Sequence, residues 1–271
     1  MPDLPSLRDA TLGIDGRVAT LTLNRDDVRN ALTGTALADD VRDCVTWASR
    51  TKELSVLVIT GAGAAFCSGG NVKDMRARAG FFAGTVADIE AAYRAGIQRL
   101  PQALARAELV LIAAVNGPAV GAGCDLACMC DLRIASRKAA FAESFVNLGL
   151  IPGDGGGWFV QRLIGYARAA EMTFTGRTID AETALAWGLA NELVEPDRLM
   201  PRAAELAAEI AAKPPQALRY AKRLLKIAQR TELPDFLDLC AVLQGVCHNS
   251  VDHIEAVGAF LDKRPARFEG R

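Results

Sequence analysis

The sequence predicts an α/β protein closed by a C-terminal helical region, and three observations carry that prediction. Short β-rich apolar segments alternate with segments of helical period. The order strand, glycine-rich turn, helix occurs twice. After Glu195-Pro196 the chain becomes alanine-rich and only helical periods remain. We therefore divide the chain into a core, 1–195, and a helical region, 196–271, whose apolar faces suit packing between subunits.

From Ala10 to Asn24 the chain alternates as two short strands joined at Asp15-Gly16, a favoured hairpin turn. A loop, RDDVRN, leads to a helix expected from about Thr33 to Arg50, with Thr33 as N-cap and Leu37, Val41, Cys44, Val45 and Ala48 at helical spacing. A buried strand, Ser55 to Thr60, runs into the glycine-rich GAGAAFCSGG, and residues 86–107 read as one long helix. The second buried strand, Val110 to Val115, enters the turn NGPAVGAG. A short apolar helix, Ala122 to Cys130, and a strand, Asp131 to Ala135, follow. Past residue 195 a helix runs to Lys213, breaks at Pro214-Pro215 and resumes to Leu261.

Composition excludes several classes. Of 271 residues, 31 are basic and 32 acidic, so there is no electrostatic footprint for nucleic acid or an anionic membrane. The N-terminus carries no apolar signal core, and the longest apolar run, Leu109 to Val115, is far short of the ~20 residues of a membrane span. A cytoplasmic location is expected. Cys124, Cys128 and Cys130 lie in an apolar stretch with no second CxxC. The two histidines, His248 and His253, are remote from them. Buried thiols, and no metal site, are the reading.

Neither glycine turn reads as a phosphate cradle. Phe66 takes the place of the third glycine of a dinucleotide fingerprint, and no P-loop occurs. Ser68, in Cys67-Ser68-Gly69-Gly70, is not a hydrolase elbow. Both turns do offer backbone N–H groups with no side chain to block approach, and two such amides aimed at one point make an oxyanion hole.

The chain resembles the crotonase (enoyl-CoA hydratase/isomerase) family over nearly its whole length. The resemblance is carried by Asn24 to Leu32 (NRDDVRNAL), Val56 to Met75, Ala113 to Arg133, Phe141 to Gly157, Thr173 to Gly188 and Phe260 to Phe268 (FLDKRPARF). It implies a spiral of ββα units, assembly as a trimer or dimer of trimers, and a CoA thioester as substrate. No permanently bound cofactor is implied. By position, the amides of Gly70 and Ala122 match the family's oxyanion hole. The backbone around Arg29, Asn30 and Ser68 matches the part that receives adenine. Lys263 matches a basic residue that reaches a neighbouring subunit's nucleotide phosphates. The segment from Ala77 to Arg99, with Phe81, Phe82, Ile89 and Tyr93, is expected to line the acyl pocket.

Two positions depart from the family's hydratases, which carry two glutamates to activate water and to handle the α-proton. Asp125 stands at the first and Phe145 at the second. Asp125 is expected to be the chief proton-transfer group, although it also suits a helix N-terminus. Glu143 would substitute if its stretch is extended and would point away if it is helical. Asp154 either joins the chemistry or N-caps the helix near Gly157. Asn71 replaces a common family aspartate. The residues thus lead to an enzyme acting through a stabilised enolate, by hydration or double-bond isomerisation. A non-catalytic acyl-CoA binder, and thioester hydrolysis or decarboxylation, are the alternatives.

Overall fold

The computed structural model describes residues 3–270, so Met1 and Pro2 of the N-terminal stretch lie outside the described residues. Among the described residues nine strands are formed: β1 (Ala10–Asp15), β2 (Val18–Leu23), β3 (Val56–Gly61), β4 (Val110–Val115), β5 (Pro118–Val120), β6 (Leu132–Ser136), β7 (Ala140–Ala142), β8 (Thr178–Asp180) and β9 (Glu192–Val194). They make a six-stranded sheet in the order β1-β2-β3-β4-β6-β9, parallel except for the β1–β2 hairpin. A smaller sheet, β5-β7-β8, stands beside it.

Helices α1 (Leu37–Arg50), α2 (Val72–Ala77), α3 (Val86–Ala95), α4 (Arg99–Arg106), α5 (Ala122–Met129), α6 (Gly156–Thr175) and α7 (Ala181–Trp187) are interleaved with these strands. Four more close the chain: α8 (Leu199–Ala211), α9 (Pro215–Ala228), α10 (Leu233–His248) and α11 (Val251–Leu261).

Alternation along the central strands explains the layering, because successive side chains face opposite ways. Leu57, Ile59, Leu111, Ala113 and Val115 join Val41, Cys44 and Val45 of α1 and Leu104 of α4 in the main core. Val56, Val58, Ile112, Ala114 and Ile134 turn to the other face, where Leu199, Ala203 and Ala207 of α8 cover them. Both faces are buried, as a parallel sheet requires. The first of the C-terminal helices is thus a layer of this core. By contrast α10 and α11 leave Leu233, Leu237, Val242, Ile254 and Phe260 exposed.

Three expected boundaries move. The first helix begins at Leu37, and Thr33 is not its cap; the Thr33 hydroxyl accepts the Asn71 N–H at 2.7 Å instead. The long helix of 86–107 is two helices, because Gly96 takes a non-helical conformation (φ −106°, ψ −109°) that ends α3. The hairpin turn centres on Gly16 and Arg17, since Asp15 already pairs with Val18. Among the described residues no helix is long and apolar enough to cross a membrane.

Candidate active site

The carboxyl ends of β3 and β4 deliver the two glycine-rich turns to one place. Cys67 bridges to Ala119 of β5 in parallel, and the Val120 N–H donates to the Cys67 carbonyl at 3.0 Å. Gly69 makes this approach possible. Its φ is +77°, and a Cβ there would stand 2.5 Å from the Val120 carbonyl oxygen and 3.0 Å from the Ala122 nitrogen. Gly70 therefore sits on one turn and Ala122, the first residue of α5, on the adjoining one. Among the described residues neither N–H has an acceptor. For Ala122 this follows from helix geometry, which leaves the first amides unpaired.

One turn into α5 lies Asp125, fully buried at 0% exposure, with Glu143 at 1% and Asp154 at 7%. Both oxygens of Asp125, both of Glu143 and Oδ1 of Asp154 lack a hydrogen-bond partner. A buried polar group without a partner is costly, and such groups in a native protein ask for a role. Asp125 and Glu143 converge over Gly156. A Cβ there would overlap Asp125 Oδ1 and come within 2.7 Å of Glu143 Oε2. Two carboxylates are acceptors only and cannot satisfy each other; one shared proton lets them.

The electrostatics agree with that picture. Burial, reinforced by the charge of Glu143, drives the Asp125 carboxyl well above its usual range, against the pull of the Gly156 amide. Burial pushes Glu143 up to about 7, partly offset by its contact with Asp125. Burial likewise lifts Asp154 to about 6. All three acids are thus held above the ordinary carboxylate range, a pattern common among proton-transfer groups.

Glu143 reaches the cluster by neither expected route. It follows β7 with φ −90° and ψ 65°, at the entrance of a 3₁₀ turn spanning Ser144–Leu148, and that kink turns its side chain inward. Phe145 lies against Gly121, 3.6 Å from the position of a Cβ there. Asp154 is not a cap: Gly155 (φ +110°) holds the N-cap position of α6, and no side chain caps that helix. Asn71 has a local reason. Its Oδ1 accepts the Lys73 N–H at 3.1 Å to cap α2, and its Nδ2 donates to Asp74 at 2.8 Å, where an aspartate would meet a like charge.

An apolar wall stands beside these groups. The rings of Phe81 and Phe82 are 5.2 Å apart, and those of Phe81 and Tyr93 are 4.9 Å apart. Tyr93 approaches Gly153 (3.3 Å to a Cβ position), and the Gln98 amide donates to the Gly153 carbonyl at 3.1 Å, so α3 and its exit loop brace the turn that carries Asp154. Burial and the neighbouring Asp154 charge raise the Tyr93 phenol. Met75, whose methyl lies over Gly70, and Gln98 were not singled out in the sequence. For Met75 the signal was its place one turn after Asn71 on α2.

The structure also gathers Arg29, Asn30 and Ser68. The Ser68 N–H donates to the Arg29 carbonyl at 3.0 Å. Asn30 is fully buried, and its amide donates to the carbonyls of Ala62 and Ala65 at 2.9 and 3.0 Å. That side chain clamps the loop against the first glycine turn. Lys263 stands apart, exposed just beyond α11. Among the described residues no group of three or more His, Cys, Asp or Glu is arranged to hold a metal.

Unpaired amides beside buried carboxyls raised above their ordinary range suit an acid–base site for a compound with a polarised carbonyl. The enoyl-CoA hydratase/isomerase profile matches residues 13–271, and the chain belongs to that family. It is 34% identical to 1,2-epoxyphenylacetyl-CoA isomerase of Escherichia coli K12, over 95% of this chain and 97% of that protein. It is 33% identical to crotonyl-CoA hydratase of Syntrophomonas wolfei, over 93% and 94%. The crystal structure of an enoyl-CoA hydratase from Bacillus anthracis superposes with a TM-score of 0.89 at 30% identity, covering 97% of this chain and all of that one. The crotonase-like fold with its C-terminal helices is therefore shared. These relatives are named as catalysts, which does not favour the reading as a mere binder.

Proposed function

We propose that this protein moves the double bond of an enoyl-CoA thioester through an enolate. The Gly70 and Ala122 amides receive the thioester oxygen, which strengthens the hydrogen bonds as negative charge develops there. A carboxyl then takes a proton from one carbon and returns it to another. The observation that carries this reading is the convergence of the buried carboxyls of Asp125 and Glu143 over Gly156. Two carboxyls buried this close can exchange one proton between them, so we read the two as one proton-exchanging unit. Hydration, in contrast, needs a water held between two separate carboxyls.

CoA enters along Arg29, the Asn30 backbone and Ser68, with Lys263 supplied by a neighbouring copy. The exposed apolar faces of α10 and α11 support the trimer, or dimer of trimers, that this requires. Hydration is the second reading, favoured by Asp154 as a further buried carboxyl on the side of the acyl wall.

Incubation of a short 3-enoyl-CoA with the protein in heavy water, followed by mass spectrometry and chromatography, tests the proposal. Conversion to the 2-enoyl ester without gain of water is expected. Formation of the 3-hydroxyacyl ester from 2-enoyl-CoA at an enzymatic rate, with no migration from the 3-enoyl ester, would reverse the order of the two readings.

A further inference from the structure

A cavity of about 880 Å³ opens between α1, α4 and α9, and none of the residues of the acid–base site lines it. Its wall is strongly cationic. Arg50, Lys52, Arg99, Arg106 and Arg223 line it, and none of them has an ion pair or side-chain hydrogen bond among the described residues. Arg42 and Arg219 also border it. Arg42 is held by Asp39 and Asp43, and Arg219 by the carbonyls of Ser49, Thr51 and Leu54. Among the described residues Glu108 is the single acid of the wall, and it reaches Arg219 at 3.5 Å. In a chain of net charge −1, such a concentration is a local property of this cavity.

Helix dipoles explain part of it. Arg50 and Arg106 occupy the last turns of α1 and α4, where a cation offsets the negative end of the helix. Arg99 opens α4, Lys52 lies between elements and Arg223 is in the middle of α9, so none of these has that reason. A second observation points to a ligand. Ser49 Oγ and Arg219 Nε, both on lining residues, are buried polar atoms without a partner. Position separates this cavity from the reaction site. Lys52 and Glu108 precede β3 and β4, whereas the amide turns follow them. The length of a six-residue strand, roughly 17 Å, lies between.

We propose that this cavity binds a small polyphosphate anion of nucleotide size, independently of the thioester. The volume is that of a small-molecule site. Arginine forks match phosphate oxygens in pairs, and grouped uncompensated cations attract a multivalent anion over a singly charged one. Tyr220, whose hydroxyl accepts from the Gln216 amide at 3.1 Å, adds a ring face beside the charges.

Titration calorimetry on the full chain tests this, with inorganic tripolyphosphate and uridine 5′-triphosphate as probes at low and at physiological salt. Both probes are expected to bind, more weakly as salt rises. Lys52→Glu and Arg223→Glu, two exposed positions, should each weaken binding by about 10-fold or more, while thioester turnover and melting temperature stay as in the parent. Tighter binding of the uridine nucleotide adds the nucleoside to the recognised group; equal binding restricts it to the phosphate chain. No heat from either probe at low salt, or binding that survives both charge reversals, overturns the proposal. So does a change of mass in light scattering on Arg223→Glu, which would make the cavity a contact between copies.

Discussion

Glu143→Gln tests the shared proton directly, through stability as well as activity. In the unfolded chain this glutamate has its ordinary value of 4.5, and in the fold burial raises it to about 7. Between those values the folded state binds the proton and the unfolded state does not. Stability is therefore complete below pH 4.5 and falls as pH rises toward 7. At about 1.4 kcal/mol for each tenfold change in proton affinity, the loss is of order 3 kcal/mol. Glutamine keeps the shape, donates a hydrogen bond to Asp125 and does not titrate. The variant should match the parent near pH 5, exceed it near pH 8 by up to about 3 kcal/mol, and melt several degrees higher there. It should also lose roughly a hundred- to ten-thousand-fold in turnover, the usual contribution of a proton-transfer group. Calorimetric melts from pH 5 to pH 8, paired with rates, read both effects. An unchanged slope of stability with pH would refute the buried, proton-sharing glutamate, and full activity would refute its role.

Three further perturbations follow from the same geometry. Gly156→Ala places a methyl where Asp125 and Glu143 converge, so turnover should fall at least 100-fold with a modest drop in melting temperature; kinetics and melting curves check it. Asp154→Asn should remove a limb of the pH–rate profile near pH 6, where the ionised form of Asp154 takes over, and a profile unchanged on its acid side would exclude Asp154 from the chemistry. Phe260→Asp puts a charge on the 83% exposed ring of α11, and light scattering should show smaller assemblies while the core melts as before.

Much of the fold was legible because each signal was local. The continuous apolar runs of β3 and β4 declare strands buried on both faces, and the 3.6-residue period of α1 declares one buried face. What failed was equally specific. Thr33 has the chemistry of a cap, but its hydroxyl is claimed by Asn71, a partner 38 residues away that no local pattern reports. Gly96 interrupts a long helical period, and a lone glycine in a helix is a cost rather than a stop. It became a stop here because α3 and α4 pack differently, α4 burying Leu100 and Leu104 while α3 buries no side chain completely.

The acids show why the site was only half legible. The two glycine-rich turns mark where free amides can gather, but Gly70, Ala122 and Asp125 were placed by the resemblance to the crotonase family and not by spacing. Glu143 posed a choice between strand and helix, and the chain took neither; a single kink of φ −90°, ψ 65° before a 3₁₀ turn swings its carboxyl onto Asp125. Phe145 then keeps its apolar contact against Gly121, and the carboxyl enters from two residues earlier in the chain. The consequence is chemical. A carboxyl arriving from that point comes to lie beside Asp125, in space that Gly156 leaves open to both. On the proposed mechanism, the hydratase glutamate that Phe145 replaces has its counterpart in Glu143, buried beside Asp125 over Gly156.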